Sequence, residues 1–230
     1  MKQTMTGLAL AGLGFALTAG PLQAQDMQQK VAAAKQAAAQ NQQALHGYTW
    51  IEKTEIAVRG EVKNTKVESC RYGPDGKVQK TQLSEPPPPP EKKRGIRGKV
   101  IEKKTGEMKA EMEAAGALVH QYLPPAPDKI QAAMAAGKIT VTPGAATAVR
   151  IADYLKAGDA LTLTLDAAAK GMTRVDVNSY LDSPSKPVTL GVQMQSLPDG
   201  TSYPGAIVLA VPADNIEVRI TNSNYQKLAQ

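Results

Sequence analysis

The chain has 230 residues and one cysteine, Cys70, so it can bury one sizeable core but cannot form an intramolecular disulfide. Its formal net charge of +6 includes seven basic residues between positions 92 and 104, so the excess of positive charge is local. Such a cluster attracts phosphate-rich or acidic partners, but it contains no aromatic residue that could stack on nucleic-acid bases.

Residues 1–24 have the pattern of a secretory signal peptide, with a positive Lys2, an apolar run over 5–19 and a small Ala24 before the cleavage point. The apolar run is shorter than the roughly 20 residues of a membrane span. We predict cleavage after Ala24 and a periplasmic or secreted protein. Residues 25–230 are then expected to form a single α+β domain.

The first predicted element after this segment is a helix over residues 26–46, which are rich in the helix formers Ala, Gln and Lys. Residues 48–82 then change to a strand pattern. Gly60 marks one turn and the Pro-Asp-Gly sequence at 74–76 marks another. The pattern predicts a meander of three antiparallel strands.

Residues 84–104 combine five consecutive prolines with the basic cluster, and two interpretations stay open. Proline cannot donate to a sheet, so the third strand ends here, and a proline run adopts a stiff extended form of about 3.1 Å per residue. The first interpretation is therefore a solvated segment that connects the third strand to the helices. In the second, the cluster binds anionic lipid head groups, an anionic membrane surface or an acidic protein partner. Export argues against nucleic acid as the partner.

Two further helices are predicted at 103–123 and 127–137, where Gly137 is suited to ending the second one. Met108 and Met112 lie on the apolar face of the first, and Met134 lies on the apolar face of the second. Methionine-bearing faces line lipid or peptide grooves in some proteins and fill ordinary cores in others.

From residue 138 onward the sequence predicts seven strands, the last at 215–222, and three of them alternate strictly between apolar and polar residues. Such alternation is typical of an antiparallel sheet with one covered face and one wet face. About ten strands are too many for a flat sheet, so the sheet is expected to curve. About three helices are available to cover its apolar face. The predicted fold class is α+β, with a strongly curved antiparallel sheet, an incomplete barrel, covered by the helices. The apolar rows are Leu161, Leu163 and Leu165; Val188, Leu190, Val192 and Met194; and Ile216, Val218 and Ile220.

No catalytic or metal-binding motif is recognisable. The two histidines, His46 and His120, lack metal-ligand spacing, and Cys70 lies in a predicted strand. No Gly-x-Ser-x-Gly, phosphate-binding or dinucleotide-binding pattern occurs. We expect no catalytic residue, no metal and no cofactor.

The order of elements resembles that of the periplasmic lipoprotein carriers of the LolA and LolB type and their relatives such as LppX. The resemblance covers most of residues 27–225 and rests on a signal peptide, an amphipathic helix, a meander, a helical insertion and a long antiparallel tail. The resemblance implies an incomplete barrel closed by a helical lid over an apolar cavity. It assigns no catalytic or binding role to any individual residue. The segment 197–228 also resembles exported bacterial proteins of uncharacterised function.

Two functional hypotheses follow. In the first, an exported envelope protein binds or carries a lipid, a lipoprotein or another apolar ligand between the curved sheet and a helical lid. In the second, the protein is a non-catalytic structural or protein-interaction module of the cell envelope with a filled core. For the first hypothesis the candidate ligand-binding residues are Lys92, Lys93, Arg94, Arg97, Met108, Met112 and Met134.

Overall fold

The computed structural model describes residues 36–83, 96–166 and 171–228, and it describes no side chain between 96 and 102. The predicted signal peptide, the start of the first predicted helix and the proline run lie outside the described residues. The chain divides into two compact units, residues 1–39 and 40–230. In the first unit, residues 36–39 are helical.

The second unit contains, within its described residues, three helices, one 3-10 turn and ten strands. The helices are α1 (40–45), α2 (Ile96–Val119) and α3 (Pro127–Ala135), and the 3-10 turn is Pro212–Asp214. The strands are β1 (Tyr48–Val58), β2 (Glu61–Tyr72), β3 (Val78–Gln82), β4 (Ile139–Thr142), β5 (Thr147–Ala152), β6 (Ala160–Asp166), β7 (Gly171–Tyr180), β8 (Pro187–Ser196), β9 (Ser202–Val211) and β10 (Ile216–Lys227).

All ten described strands join one antiparallel sheet in the order β3-β2-β1-β10-β9-β8-β7-β6-β5-β4. The sheet is curved and open, and the fold is α+β, as the sequence predicts. Every pairing but one joins strands that are consecutive in the chain. The exception is the pairing of β1 with β10, which unites the first meander and the later strands into a single sheet.

Alternation decides which face of the sheet is buried. In β8, Val188, Leu190 and Val192 are buried, whereas Thr189 and Gln193 on the opposite face are not. Leu161 in β6 is fully buried, and Leu163 packs against the same core. The prediction of a one-sided apolar face is therefore confirmed for these rows.

Leu165 is the exception to the predicted row, since it is 41% exposed at the end of β6. The buried cluster beneath the helices includes Leu161 and reaches Leu163, but it does not reach Leu165. Strand alternation sets the side on which a residue lies, whereas its burial also depends on whether another element covers it.

The core lies between this face and the C-terminal half of α2, together with α3. Helix α2 and the turn after it contribute the buried residues Ala115, Val119 and Tyr122 to this core, and α3 contributes Ala133. They meet apolar residues of β5 to β9, so the core fills that part of the sheet. Burial of this apolar surface is the main force that holds the helices on the sheet.

The largest boundary differences are at the start of α2 and the end of β10; in addition, α2 ends at Val119 rather than 123 and α3 ends at Ala135 rather than 137. Helix α2 begins at Ile96 rather than 103, so the end of the basic cluster is helical and not part of an extended connection. Strand β10 continues to Lys227 rather than ending near 222, because its pairing with β1 continues past a bulge at Asn224, where φ is 53°.

Candidate functional site

A groove of about 800 Å³ lies between the middle of α2, residues 104–111, and the β1–β2 turn. Its apolar lining comes from Val58 at the end of β1 and Met108 on α2, which are partly exposed, and from Ile216 at the start of β10, which is only 2% exposed. Val58 and Ile216 are direct partners across the β1–β10 pairing, so they form one patch on the core-facing side. The groove opens to solvent and adjoins the filled core.

The β1–β2 turn forms one wall of the groove. Arg59 and Gly60 both have positive φ, 55° and 77°, which is the geometry of a two-residue type I′ hairpin turn. The backbone N–H of Arg59 donates to the carbonyl of Asn215 at 2.8 Å. This bond ties the turn to the segment before β10 and sets the position from which the Arg59 side chain enters the groove lining.

Charged side chains surround the apolar patch. Lys186 pairs with Glu111 of α2, and this contact links the helix to the turn before β8. The hydrogen bond from Lys186 holds the pKa of Glu111 below its ordinary value. Burial, and then the neighbouring Glu111, raise the pKa of Asp214. The charged lining residues are Arg59, Glu61, Lys63, Lys104, Glu107, Glu111, Lys186 and Asp214.

A second cluster of polar and aromatic side chains lies at the β2–β1–β10 end of the sheet. Trp50 stacks on Tyr225 with ring centroids 5.6 Å apart, and its centroid lies 5.4 Å from that of Tyr72. Trp50 shares a face of β1 with Ile56, whose partner Val218 packs against the core. Alternation therefore places this cluster on the helix-covered side of the sheet. Its rings contact one another, and the cluster works as a small satellite core.

Two glutamates are buried beside these rings. Glu52 and Glu68 are direct partners across β1 and β2 and are 8% and 7% exposed. Each is neutralised: Lys80 lies 2.5 Å from Glu52, and Lys66 lies 2.6 Å from Glu68. Buried carboxylates with such partners are satisfied structural groups.

The residues considered for nucleophilic chemistry have structural surroundings. Cys70 is 1% exposed, and burial is the main cause that raises its pKa to about 11. A thiol with this pKa is almost entirely protonated at neutral pH, and the thiol is a much weaker nucleophile than the thiolate. His46 stacks on Tyr72 with centroids 4.4 Å apart, and His120 is exposed just after α2.

The predicted ligand-binding residues are only partly brought together. Met108 lines the groove, and Met112 packs against the adjoining core. Met134 lies on α3, is 40% exposed and is not among the groove-lining residues. Arg97 belongs to α2, but its side chain is not described. Lys92, Lys93 and Arg94 lie outside the described residues.

Sequence reasoning missed several groove residues. Arg59, Lys186 and Asp214 are distant in the chain, and each lies in or beside a turn. The only local signal was the Arg-Gly pair between two strand patterns, which is compatible with a type I′ turn. These residues come together because β1 pairs with β10, and no local sequence pattern predicts that pairing.

Within 36–83, 96–166 and 171–228, no group of three or more histidine, cysteine or acidic side chains is arranged to hold a metal ion. No helix in these ranges has the length and hydropathy needed to cross a membrane.

Comparisons with known proteins add one distant structural likeness. No protein-family profile matches the chain, and no curated protein matches it significantly. Among solved structures, a DUF1329 family protein from Desulfovibrio piger aligns with 86% of this chain and 92% of its own, at 11% identity and a TM-score of 0.37.

Proposed function

We propose that this protein binds an apolar or amphipathic ligand in the groove beside α2 and serves as a carrier or binding protein of the cell envelope. The observation that carries the proposal is the apolar lining of an open groove of about 800 Å³, where Val58 and Met108 are partly exposed and Ile216 is buried beside them. Ligand sites are typically clefts of roughly 300–1,000 Å³ with an apolar lining and a few polar groups.

Neighbouring residues extend this apolar surface. Ile56, Val218 and Ile220 are only partly buried, on the same face as Val58 and Ile216. A partly exposed apolar row beside a groove offers some area that a hydrocarbon chain would remove from water, with about 25 cal/mol gained per Å² buried. The row therefore supports a ligand longer than the groove alone would hold.

The cellular part of the proposal rests on the N-terminal sequence. The signal-peptide pattern of residues 1–24 motivates export, cleavage after Ala24 and a periplasmic or secreted location. N-terminal sequencing of the exported product tests it, and a retained Met1 in that product would contradict it. The proposed role includes no catalysis. Cys70 is buried and protonated at neutral pH, so it is not suited to act as a nucleophile.

The filled core favours a second candidate, a structural or protein-interaction module. Tyr122, Ile151 and Leu161 are fully buried beneath the helices, so that part of the sheet has no room for a ligand. In this case the groove would be an ordinary surface depression, and the protein would act through surface contacts.

Organic extraction of the natively purified protein, followed by mass spectrometry, separates the two candidates. A carrier yields a lipid or another apolar compound in a reproducible ratio to protein. The variant Val58→Glu should reduce that ratio, whereas Val141→Glu, at a 57% exposed position of β4, should not. A protein that is empty after purification, and that takes up no added lipid, would support the interaction module.

A further inference from the structure

We propose that the groove selects ligands with an anionic head group, a carboxylate or a phosphate, through Arg59 and Lys104. This inference rests on the proposed function and names the class of amphiphile that the groove would take. Both residues are exposed and both line the groove, Arg59 from the β1–β2 turn and Lys104 from α2. They therefore face the same space from opposite walls.

The other charges of the lining are largely matched. Glu61 pairs with Lys63 at 2.5 Å, and Glu111 pairs with Lys186. Glu107 lies 3.8 Å from Lys103, one turn back along α2. Asp214, the fourth acidic residue, has a raised pKa because it is desolvated and lies beside Glu111. It thus resists ionisation more than an ordinary aspartate.

Arg59 and Lys104 differ from these groups because neither has an ion-pair partner among the described residues. The groove therefore presents two cations without an ion-pair partner beside an apolar patch. A fatty-acid carboxylate or a lipid phosphate would complement both parts, since its chain would cover Val58 and Met108 while its head reached the cations.

The backbone at Arg59 supports a functional reason for this side chain. Its φ of 55° is in the left-handed region, where a long side chain is disfavoured and Gly or Asn is preferred. Arg59 thus contradicts the local conformational preference at the point where it lines the groove, and local strain of this kind is common at functional sites.

The experiment is a competition assay in which a fluorescent fatty acid is the probe. The target is the whole protein after removal of the predicted signal peptide. Hexadecanoate, hexadecyl phosphate and hexadecan-1-ol are the competitors, because they share one chain and differ in the head. The variants are Arg59→Asn, Lys104→Gln and the double variant. Lys109→Gln is the matched control, since Lys109 is also exposed on α2 but already pairs with Glu113 at 3.9 Å.

We expect the wild-type protein to prefer at least one anionic competitor over the alcohol by about three- to tenfold, as two exposed charge contacts allow. The double variant should lose this preference, and Lys109→Gln should keep it. Added salt should weaken the preference. Arg59→Asn should fold with unchanged or higher stability, because Asn tolerates the left-handed region, so its loss of selectivity would not reflect misfolding.

The two anionic competitors identify the head group, because preference for the carboxylate indicates a fatty acid and preference for the phosphate indicates a phospholipid-like ligand. Equal competition by the alcohol and both anions in the wild-type protein would overturn the inference while leaving the proposed function in place. Selectivity retained in the double variant would also overturn it. No binding of probe or competitors would refute the proposed function itself.

Discussion

Removing the Tyr122 hydroxyl tests how the end of α2 is fixed to the sheet. The ring of Tyr122 is fully buried, and its hydroxyl donates to the Asp159 carboxylate at 2.5 Å and contacts the Ser179 hydroxyl at 2.7 Å. The Asp159 oxygen that accepts this bond also accepts the backbone N–H groups of Leu155 and Lys156, each at 3.0 Å. The hydroxyl therefore joins the helical segment to the loop before β6 and to β7.

Tyr122→Phe keeps the ring and removes only the hydroxyl. A hydrogen bond to a charged group is worth about 1.5–3 kcal/mol, and the loss here lies within that range because the Asp159 oxygen keeps two N–H donors. We expect the free energy of unfolding to fall by about 2 kcal/mol. For a domain of this size that corresponds to a decrease in Tm of about 4–8 °C.

Chemical denaturation with a matched variant is the assay. Tyr180→Phe is the control, because its exposed hydroxyl donates, among the described residues, only to the Ala157 carbonyl, at 2.9 Å. We expect that variant to lie within about 0.5 kcal/mol of the wild type. The reasoning would be refuted if Tyr122→Phe were equally close to the wild type, or if both variants lost the same stability.

Three further predictions concern the core, the thiol and the helix contact. Leu161→Ala should lower the free energy of unfolding by about 2–5 kcal/mol, whereas Leu165→Ala should lower it by less than about 1 kcal/mol. The difference is expected because Leu161 is fully buried and Leu165 is 41% exposed. Equal losses of stability in the two variants, measured by denaturation, would contradict the one-sided packing. Cys70, with its pKa raised to about 11, should react with a thiol reagent near neutral pH only as fast as the protein opens. Labelling of Cys70 in the folded protein as fast as in denaturant would contradict its burial. The thiol loses its proton at lower pH in the unfolded chain than in the folded protein. The free energy of unfolding should therefore fall as the pH rises from about 9 towards 11, with a smaller fall in Cys70→Ala. Lys186→Met should increase hydrogen exchange in the part of α2 around Glu111 while changing global stability by less than about 1 kcal/mol, because the ion pair is partly exposed. Unchanged exchange there would show that this contact does not hold the helix.

The sheet was largely predictable because its strands and turns are encoded by local sequence patterns. The rows of Val188, Leu190 and Val192 in β8, and the turn sequences that separate the strands, identify both the elements and their buried face. The predicted bounds of most strands lie close to the observed ones for the same reason. Where the prediction erred, tertiary contacts decided the outcome: β10 continues because β1 lies beside it, and Leu165 is exposed because the core cluster does not reach it.

The groove was predictable only in part. Met108 belongs to a helix whose apolar face is visible in the sequence, and it lines the groove, but its role in ligand binding stays a prediction. Arg59, Lys186 and Asp214 come from three separate turns, and only the pairing of β1 with β10 and the docking of α2 bring them to one place. Periodicity assigns a residue to a face, but it does not say which distant strand becomes its neighbour.

Photo-crosslinking tests the central claim most directly, because it asks both whether an apolar ligand binds and where. The processed protein would be incubated with a fatty acid that carries a photoreactive group on its chain, irradiated, digested and mapped by mass spectrometry. We predict saturable labelling of the peptides that contain Val58, Met108 and Ile216, with competition by unlabelled fatty acid and reduced labelling in Val58→Glu. Labelling confined to the opposite face of the sheet, or labelling that neither saturates nor responds to the competitor, would contradict a ligand-binding groove.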